Sequence, residues 1–215
     1  MIRDELADGL YAITDDCKGS PAGLVRRVEQ AIRGGARLIQ YRDKEAGTTA
    51  RHARAAALLA LCRRHAVALI INDDVELAAA IDAHGVHLGA GDADIATARE
   101  RLGARAIIGA SCYNRLELAR AAVAGGADYV AFGRFFASHS KPGAVAAGPD
   151  LLEHASRELL VPIVAIGGIT PANGAVLVAA GANLLAVIHG VFGQPDIEAA
   201  ARAYAGLFDT VKGET

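Results

Sequence analysis

Tryptophan is absent from this 215-residue sequence, methionine occurs once and cysteine three times. Cys17, Cys62 and Cys112 show no C-x-x-C spacing and are odd in number. That argues against a disulfide framework and for reduced thiols in a cytoplasm. No apolar secretion segment opens the chain, and no apolar run is long enough to span a bilayer. A charge excess is also missing: 22 basic against 24 acidic residues leave a formal charge of -2. Nothing therefore draws the whole surface toward nucleic acid or anionic membrane. These absences predict a cytoplasmic globule acting on small molecules, with no nucleic-acid or membrane partner. They leave open whether it forms a homo-oligomer.

Chemical devices are missing too. No G-x-G-x-x-G follows the first predicted strand, where Thr14-Asp15-Asp16-Cys17-Lys18-Gly19 stands instead, which lowers the dinucleotide-binding reading. No Ser-His-Asp arrangement or paired-carboxylate device is evident. His84 and His87 invite a zinc reading but have no third ligand, so His87 reads as a hydrogen-bonded structural histidine. Lysine is scarce: Lys18, Lys44, Lys141 and Lys212 are the only four among the 22 basic residues. An ammonium is a compact, rotatable donor suited to phosphate oxygens, so each lysine is a candidate with surface drift as the alternative.

What is present is a regular alternation. Short β-branched runs are predicted as strands at 10–14, 36–43, 68–73, 85–89, 106–112, 129–135, 162–168 and 184–192. Between them lie Ala- and Leu-rich helical patterns at 24–33, 50–65, 75–81, 95–102, 115–124, 151–158, 172–180 and 197–208. Glycine at several helix-to-strand junctions, such as Gly125-Gly126-Ala127, supplies a helix stop. Eight strand–helix units without a long linker predict one α/β domain over residues 1–215, a (β/α)8 TIM barrel with a parallel eight-stranded core.

In such a barrel, ligands bind where strands end and helices have not yet begun, and unusual polar residues fall there. Gln40, Arg42 and Lys44 alternate onto one side of the second strand, forming a fork for an anion. Asn72, Asp73 and Asp74 end the third strand. Asp74 reads as a helix cap, whereas Asp73, with Asp92 in the next loop, fits the one or two carboxylates that hold magnesium beside phosphate. Ser111 ends the fifth strand with one hydroxyl donor. Ser138-His139-Ser140-Lys141 reads as a mobile ligand-covering loop. Gly168 in the seventh unit, and Ile188 and His189 in the eighth, suit an amide-rich phosphate site. Two anion sites on one rim imply two phosphorylated substrates or one doubly phosphorylated substrate.

Taken in order, Gln40-Tyr41-Arg42-Asp43-Lys44, Ile71-Asn72-Asp73, Gly85-Val86-His87-Leu88-Gly89 with Asp92, Gly109-Ala110-Ser111, Ser138-His139-Ser140-Lys141 and Ala165-Ile166-Gly167-Gly168-Ile169 resemble the thiamine-phosphate synthase family over nearly the whole chain. The resemblance implies condensation of an aminopyrimidine diphosphate with a thiazole phosphate, releasing pyrophosphate. It places Gln40, Arg42, Lys44, Asn72, Ser111 and Lys141 around the pyrimidine diphosphate. Mg2+ would sit on Asp73 and Asp92, with Ser138, Ser140, Gly168, Ile188 and His189 around the thiazole phosphate; Tyr41, Asp43 and His139 are further implied substrate contacts. Arg42, Lys44, Ser111 and Lys141 are the implied catalytic groups.

The sequence departs from the family pattern in places. Ser138 and Ser140 replace threonines, His189 a serine, Ala90 a glutamine and Tyr41 a leucine. Arg134 stands where a related thiazole tautomerase would carry histidine. A Schiff-base aldolase using Lys44 or Lys141, or a silent phosphate sensor, are the further alternatives.

Overall fold

A computed structural model describes residues 6–15, 20–137 and 147–212, with 210–212 as helical backbone only. Strands β1 (Gly9–Ile13), β2 (Ala36–Tyr41), β3 (Ala68–Asn72), β4 (Gly85–Leu88), β5 (Ile107–Tyr113), β6 (Tyr129–Gly133), β7 (Ile163–Ile166) and β8 (Leu184–Val187) close into a barrel in sequence order. Every neighbouring pair is parallel, including β1 with β8. The helices are α1 (Pro21–Arg33), α2 (Thr48–Arg64), α3 (Val75–Ile81), α4 (Ile95–Leu102), α5 (Leu116–Ala124), α6 (Pro149–Glu158), α7 (Ala175–Ala179), α8 (His189–Phe192) and α9 (Ile197–Lys212). The chain is the (β/α)8 TIM barrel that the alternation predicted. No helix among the described residues is long and apolar enough to cross a membrane.

Strand periodicity divides the core in two. Leu38, Ala68, Ile70, Ile107, Val164 and Leu184 fill the barrel interior, while Ile39, Tyr41, Leu69, Ile71, Val86 and Ile108 face the helices. Leu6, just before β1, joins the interior cluster and closes the amino-terminal end of the barrel. Burying each leucine, isoleucine or valine side chain among them contributes about 1.5–3 kcal/mol. Helix α1 meets the strands through Leu24, Val28 and Ala31, spaced for one helical face.

The differences from the predicted boundaries have local causes. Helix α1 starts three residues before the apolar pattern because Ser20 accepts a hydrogen bond from Gly23 N and Pro21 occupies the first turn. Pro149 does the same for α6. The eighth strand, expected to reach Phe192, stops at Val187. Ile188 O accepts from Val191 N and Phe192 N, and α8 begins. An apolar run of this length does not reveal whether it is extended or coiled.

Candidate active site

Because all eight strands are parallel, their carboxyl ends share one rim. At its β1–β2 edge the buried Thr14 hydroxyl accepts from Arg42 N at 2.9 Å and donates to Arg42 O at 3.0 Å. This fixes the backbone from which Arg42 projects. The next turn is organised by Asp43. Its Oδ1 accepts from Glu45 N and Ala46 N at 3.3 and 3.0 Å. Its Oδ2 accepts from the Tyr41 hydroxyl at 3.2 Å and Arg54 Nη1 at 2.6 Å. Burial pushes the Asp43 carboxyl up. The Arg54 guanidinium and the other donors outweigh burial and hold it below the usual carboxylate range.

Tyr41 and Asp43, expected among the ligand-contacting residues, bond to each other here. Both border the cleft, and Asp43 also accepts from Arg54 of α2 and from the Glu45 and Ala46 amides. They hold the loop that carries Lys44.

Lys44 reaches back over the rim, with Nζ 3.8 Å from Asp73 Oδ2. Asp73 has φ +64°, a left-handed conformation uncommon outside glycine. Such strain concentrates at functional sites. Asp92 is held by a 2.6 Å bond from Gly89 N to its Oδ2, and its carboxyl lies within hydrogen-bond reach of the Asp73 carboxyl. Burial, followed by this contact and the charge of Asp92, pushes Asp73 above its usual range. The Lys44 ammonium and a hydrogen bond from Asn72 act the other way. Two carboxylates brought together at a partly buried site fit a divalent cation that removes their repulsion. No group of three or more His, Cys, Asp or Glu side chains gathers as a metal site among the described residues, so most coordination positions would fall to phosphate oxygens and water. Asp74 has the expected separate role, capping α3 by accepting from Leu77 N at 2.9 Å.

Lys44, Asp73 and Asp74 open on a cleft of about 350 Å³ that Tyr41, Asp43, Arg51, Ile71, Asn72 and Leu77 also line. Arg51 is an addition from the first turn of α2, with Nη1 3.9 Å from Asp74 Oδ2. Its helix carries several arginines, and nothing in the sequence distinguishes this one.

Deeper in the barrel, Gln40 is buried and its Nε2 donates to the Tyr11 hydroxyl at 2.7 Å. Its amide oxygen has no such commitment to Tyr11. Ser111 Oγ lies 2.9 Å from His87 Nε2. Burial pushes the His87 imidazole down to about 4, keeping it neutral, and its ring stacks on Tyr129. The expected hydrogen-bonded histidine is thus present.

On the opposite arc of the rim, Gly168 takes φ +67°, and a Cβ there would strike the Ala137 and Phe136 carbonyl oxygens. Only glycine combines that dihedral with that clearance. Ile188 forms the turn into α8, and His189 is exposed at its start. Ser138, His139, Ser140 and Lys141 lie outside the described residues.

Residues 10–191 match the family model described as thiamine monophosphate synthase. The chain belongs to the thiamine monophosphate synthase family. It is therefore an enzyme, a transferase. It is 52% identical over 201 residues to thiamine-phosphate synthase of Thioalkalivibrio sulfidiphilus, covering 94% of this chain and 95% of that one. It is 54% identical over 201 residues to the Chromobacterium violaceum protein of the same description, covering 94% and 96%. Its structure resembles thiamine phosphate pyrophosphorylase from Pyrococcus furiosus with a TM-score of 0.86 and 34% identity, over 97% of this chain and 98% of that one. Within this family frame, Gln40, Arg42, Lys44, Asn72, Asp73, Asp92 and Ser111 lie at the ends of β2 to β5 or in the loops beyond. Gly168, Ile188 and His189 follow β7 and β8.

Proposed function

We propose that this enzyme condenses 4-amino-2-methyl-5-(diphosphooxymethyl)pyrimidine with a thiazole phosphate, giving thiamine phosphate and pyrophosphate in cytoplasmic thiamine biosynthesis; a carboxylated thiazole phosphate would also release its carboxyl group as CO2. The observation that carries the reading is the juxtaposition of Asp73, Asp92 and Lys44 at the mouth of the barrel. Family membership supplies the reaction class.

The C–O bond between the pyrimidine methylene and the diphosphate breaks, and its electron pair leaves on the diphosphate oxygen. The methylene cation is stabilised by the electron-rich aminopyrimidine. The thiazole nitrogen then donates its lone pair to that carbon. No proton is removed in either step. What the chain must stabilise is negative charge growing on the leaving group. Arg42 and Lys44 donate to it from the β2 loop, and the proposal assigns Lys141 to the same task. Losing one such donor costs about 3–4 kcal/mol of barrier, by analogy with oxyanion sites. Mg2+ held by Asp73 and Asp92 would supply charge neutralisation at the diphosphate. Gln40, Asn72 and Ser111 orient the pyrimidine. Gly168, Ile188 and His189, with Ser138, His139 and Ser140, receive the thiazole phosphate. His189 offers an imidazole where relatives of the pattern carry a hydroxyl.

The test is incubation of the purified protein with both heterocycles and Mg2+, followed by product mass and pyrophosphate release. A product with the mass of thiamine phosphate, formed only when both substrates are present, is expected. Ligand binding without turnover would instead favour a phosphate sensor. Borohydride trapping of a carbonyl substrate would favour a Schiff-base aldolase.

A further inference from the structure

A polar chain crosses the apolar barrel interior. Gln40 Nε2 donates to the Tyr11 hydroxyl at 2.7 Å, and the Tyr11 and Tyr129 hydroxyls lie 2.8 Å apart. The Tyr129 hydroxyl is 2.9 Å from His87 Nδ1, and His87 Nε2 is 2.9 Å from Ser111 Oγ. These five side chains come from β2, β1, β6, β4 and β5, so the path cuts across the lumen instead of following the sheet. Room for it is built in. A Cβ on Gly109 would occupy the position of the Tyr129 ring, and Tyr11 meets that ring edge-on with centroids 6.0 Å apart. Gln40, Tyr11 and Tyr129 are buried, where a polar group without a partner is unfavourable.

Counting hydrogens gives the chain a direction. Each contact holds a single hydrogen. Tyr11 already accepts from Gln40, so its own hydrogen goes to the Tyr129 oxygen. The Tyr129 hydrogen then goes to His87 Nδ1, which must accept, so the ring hydrogen sits on Nε2, pointing at Ser111 Oγ. Ser111 accepts there, which frees its own hydrogen for the barrel mouth. With Gln40 donating, any other assignment leaves a phenolic hydrogen of this chain unmatched.

We propose that Gln40, Tyr11, Tyr129 and His87 form a directional relay that presents the Ser111 hydroxyl to the substrate as a donor, with Tyr11, Tyr129 and His87 as positioning residues. The proposal rests on the reading that an aminopyrimidine diphosphate binds beside Ser111. On that reading, the relay selects a heteroaromatic ring nitrogen with a free lone pair at this point, and disfavours a ring presenting N–H.

Two measurements on the full-length enzyme test this. Nitrogen-15 NMR of the His87 ring reads its tautomer directly. The Nε2–H form is expected, and an Nδ1–H or doubly protonated ring would overturn the relay. Kinetics of two variants give the functional readout. In His87→Gln the amide nitrogen reaches toward the Nε2 position, whereas the shorter side chain of His87→Asn replaces only the Nδ1 end. Asn should raise KM for the pyrimidine diphosphate by about tenfold, the effect of one neutral hydrogen bond, and leave KM for the thiazole phosphate unchanged. Gln should recover most of that loss. Equal losses in both variants, or parallel rises in both KM values, would reduce His87 to packing. The tautomer readout needs no turnover. Failure of the proposed reaction therefore shows as absent product with the Nε2–H ring intact, and failure of the relay as the wrong tautomer in an active enzyme.

Discussion

Asp43 shows how one residue type in one motif can have two meanings. Among the polar residues following β2 it stands between the cations Arg42 and Lys44, and the sequence alone groups it with them. Its oxygens are instead saturated by Arg54, Tyr41 and two backbone amides. Removing the charge leaves Arg54 facing a neutral partner in a largely dehydrated position. Breaking such a pair costs about 3–5 kcal/mol. Asp43→Asn is expected to lower the urea midpoint accordingly at neutral pH. The same carboxyl predicts a pH dependence. Its folded pKa is depressed below 3.8, so the unfolded chain takes up the proton first as pH falls. The stabilisation is therefore full above about pH 5 and is lost as pH drops through 3.8 toward the folded value. Urea titrations across that window should show a steeper acid loss for the wild type than for Asp43→Asn. Parallel curves would contradict the assignment.

At the scale of elements, the lumen is set by pairings between large and absent side chains. Tyr129 on β6 reaches across β5 only because residue 109 has no Cβ. Gly109→Ala inserts a methyl group where the ring must lie. Such overpacking typically costs about 1–3 kcal/mol, and this substitution should also displace the Tyr129 hydroxyl from His87. A fall in Tm together with a raised KM for the pyrimidine substrate is expected. A stable variant with wild-type kinetics would show that the interior accommodates the change elsewhere. Most elements were legible in the sequence because the buried runs of β2, β3 and β8 and the face of α1 have the periods that their neighbours require. Strand ends were read too long wherever an apolar run continued past the ladder, as at α8. The Tyr11–Tyr129–His87 contacts were not legible at all. They join residues 118 and 42 positions apart, and nothing local marks a tyrosine as facing the lumen instead of the helices.

For the whole molecule, barrel closure turns residues scattered from position 40 to position 189 into one rim. Lys44 after β2, Asp73 after β3 and Asp92 after β4 share that rim. Arg51 escaped notice because it enters the cleft from the helix layer, which strand-end reasoning does not survey. The central claim is that a diphosphate is held at the β2–β4 arc by cationic side chains and a divalent ion on Asp73 and Asp92. Its most direct test is calorimetric binding of pyrophosphate to the wild type and to Asp92→Asn, with Mg2+ and with chelator. Tight binding by the wild type only when Mg2+ is present, lost in Asp92→Asn, is the predicted result. Equal affinity with Mg2+ and with chelator, unchanged by the substitution, would contradict the account.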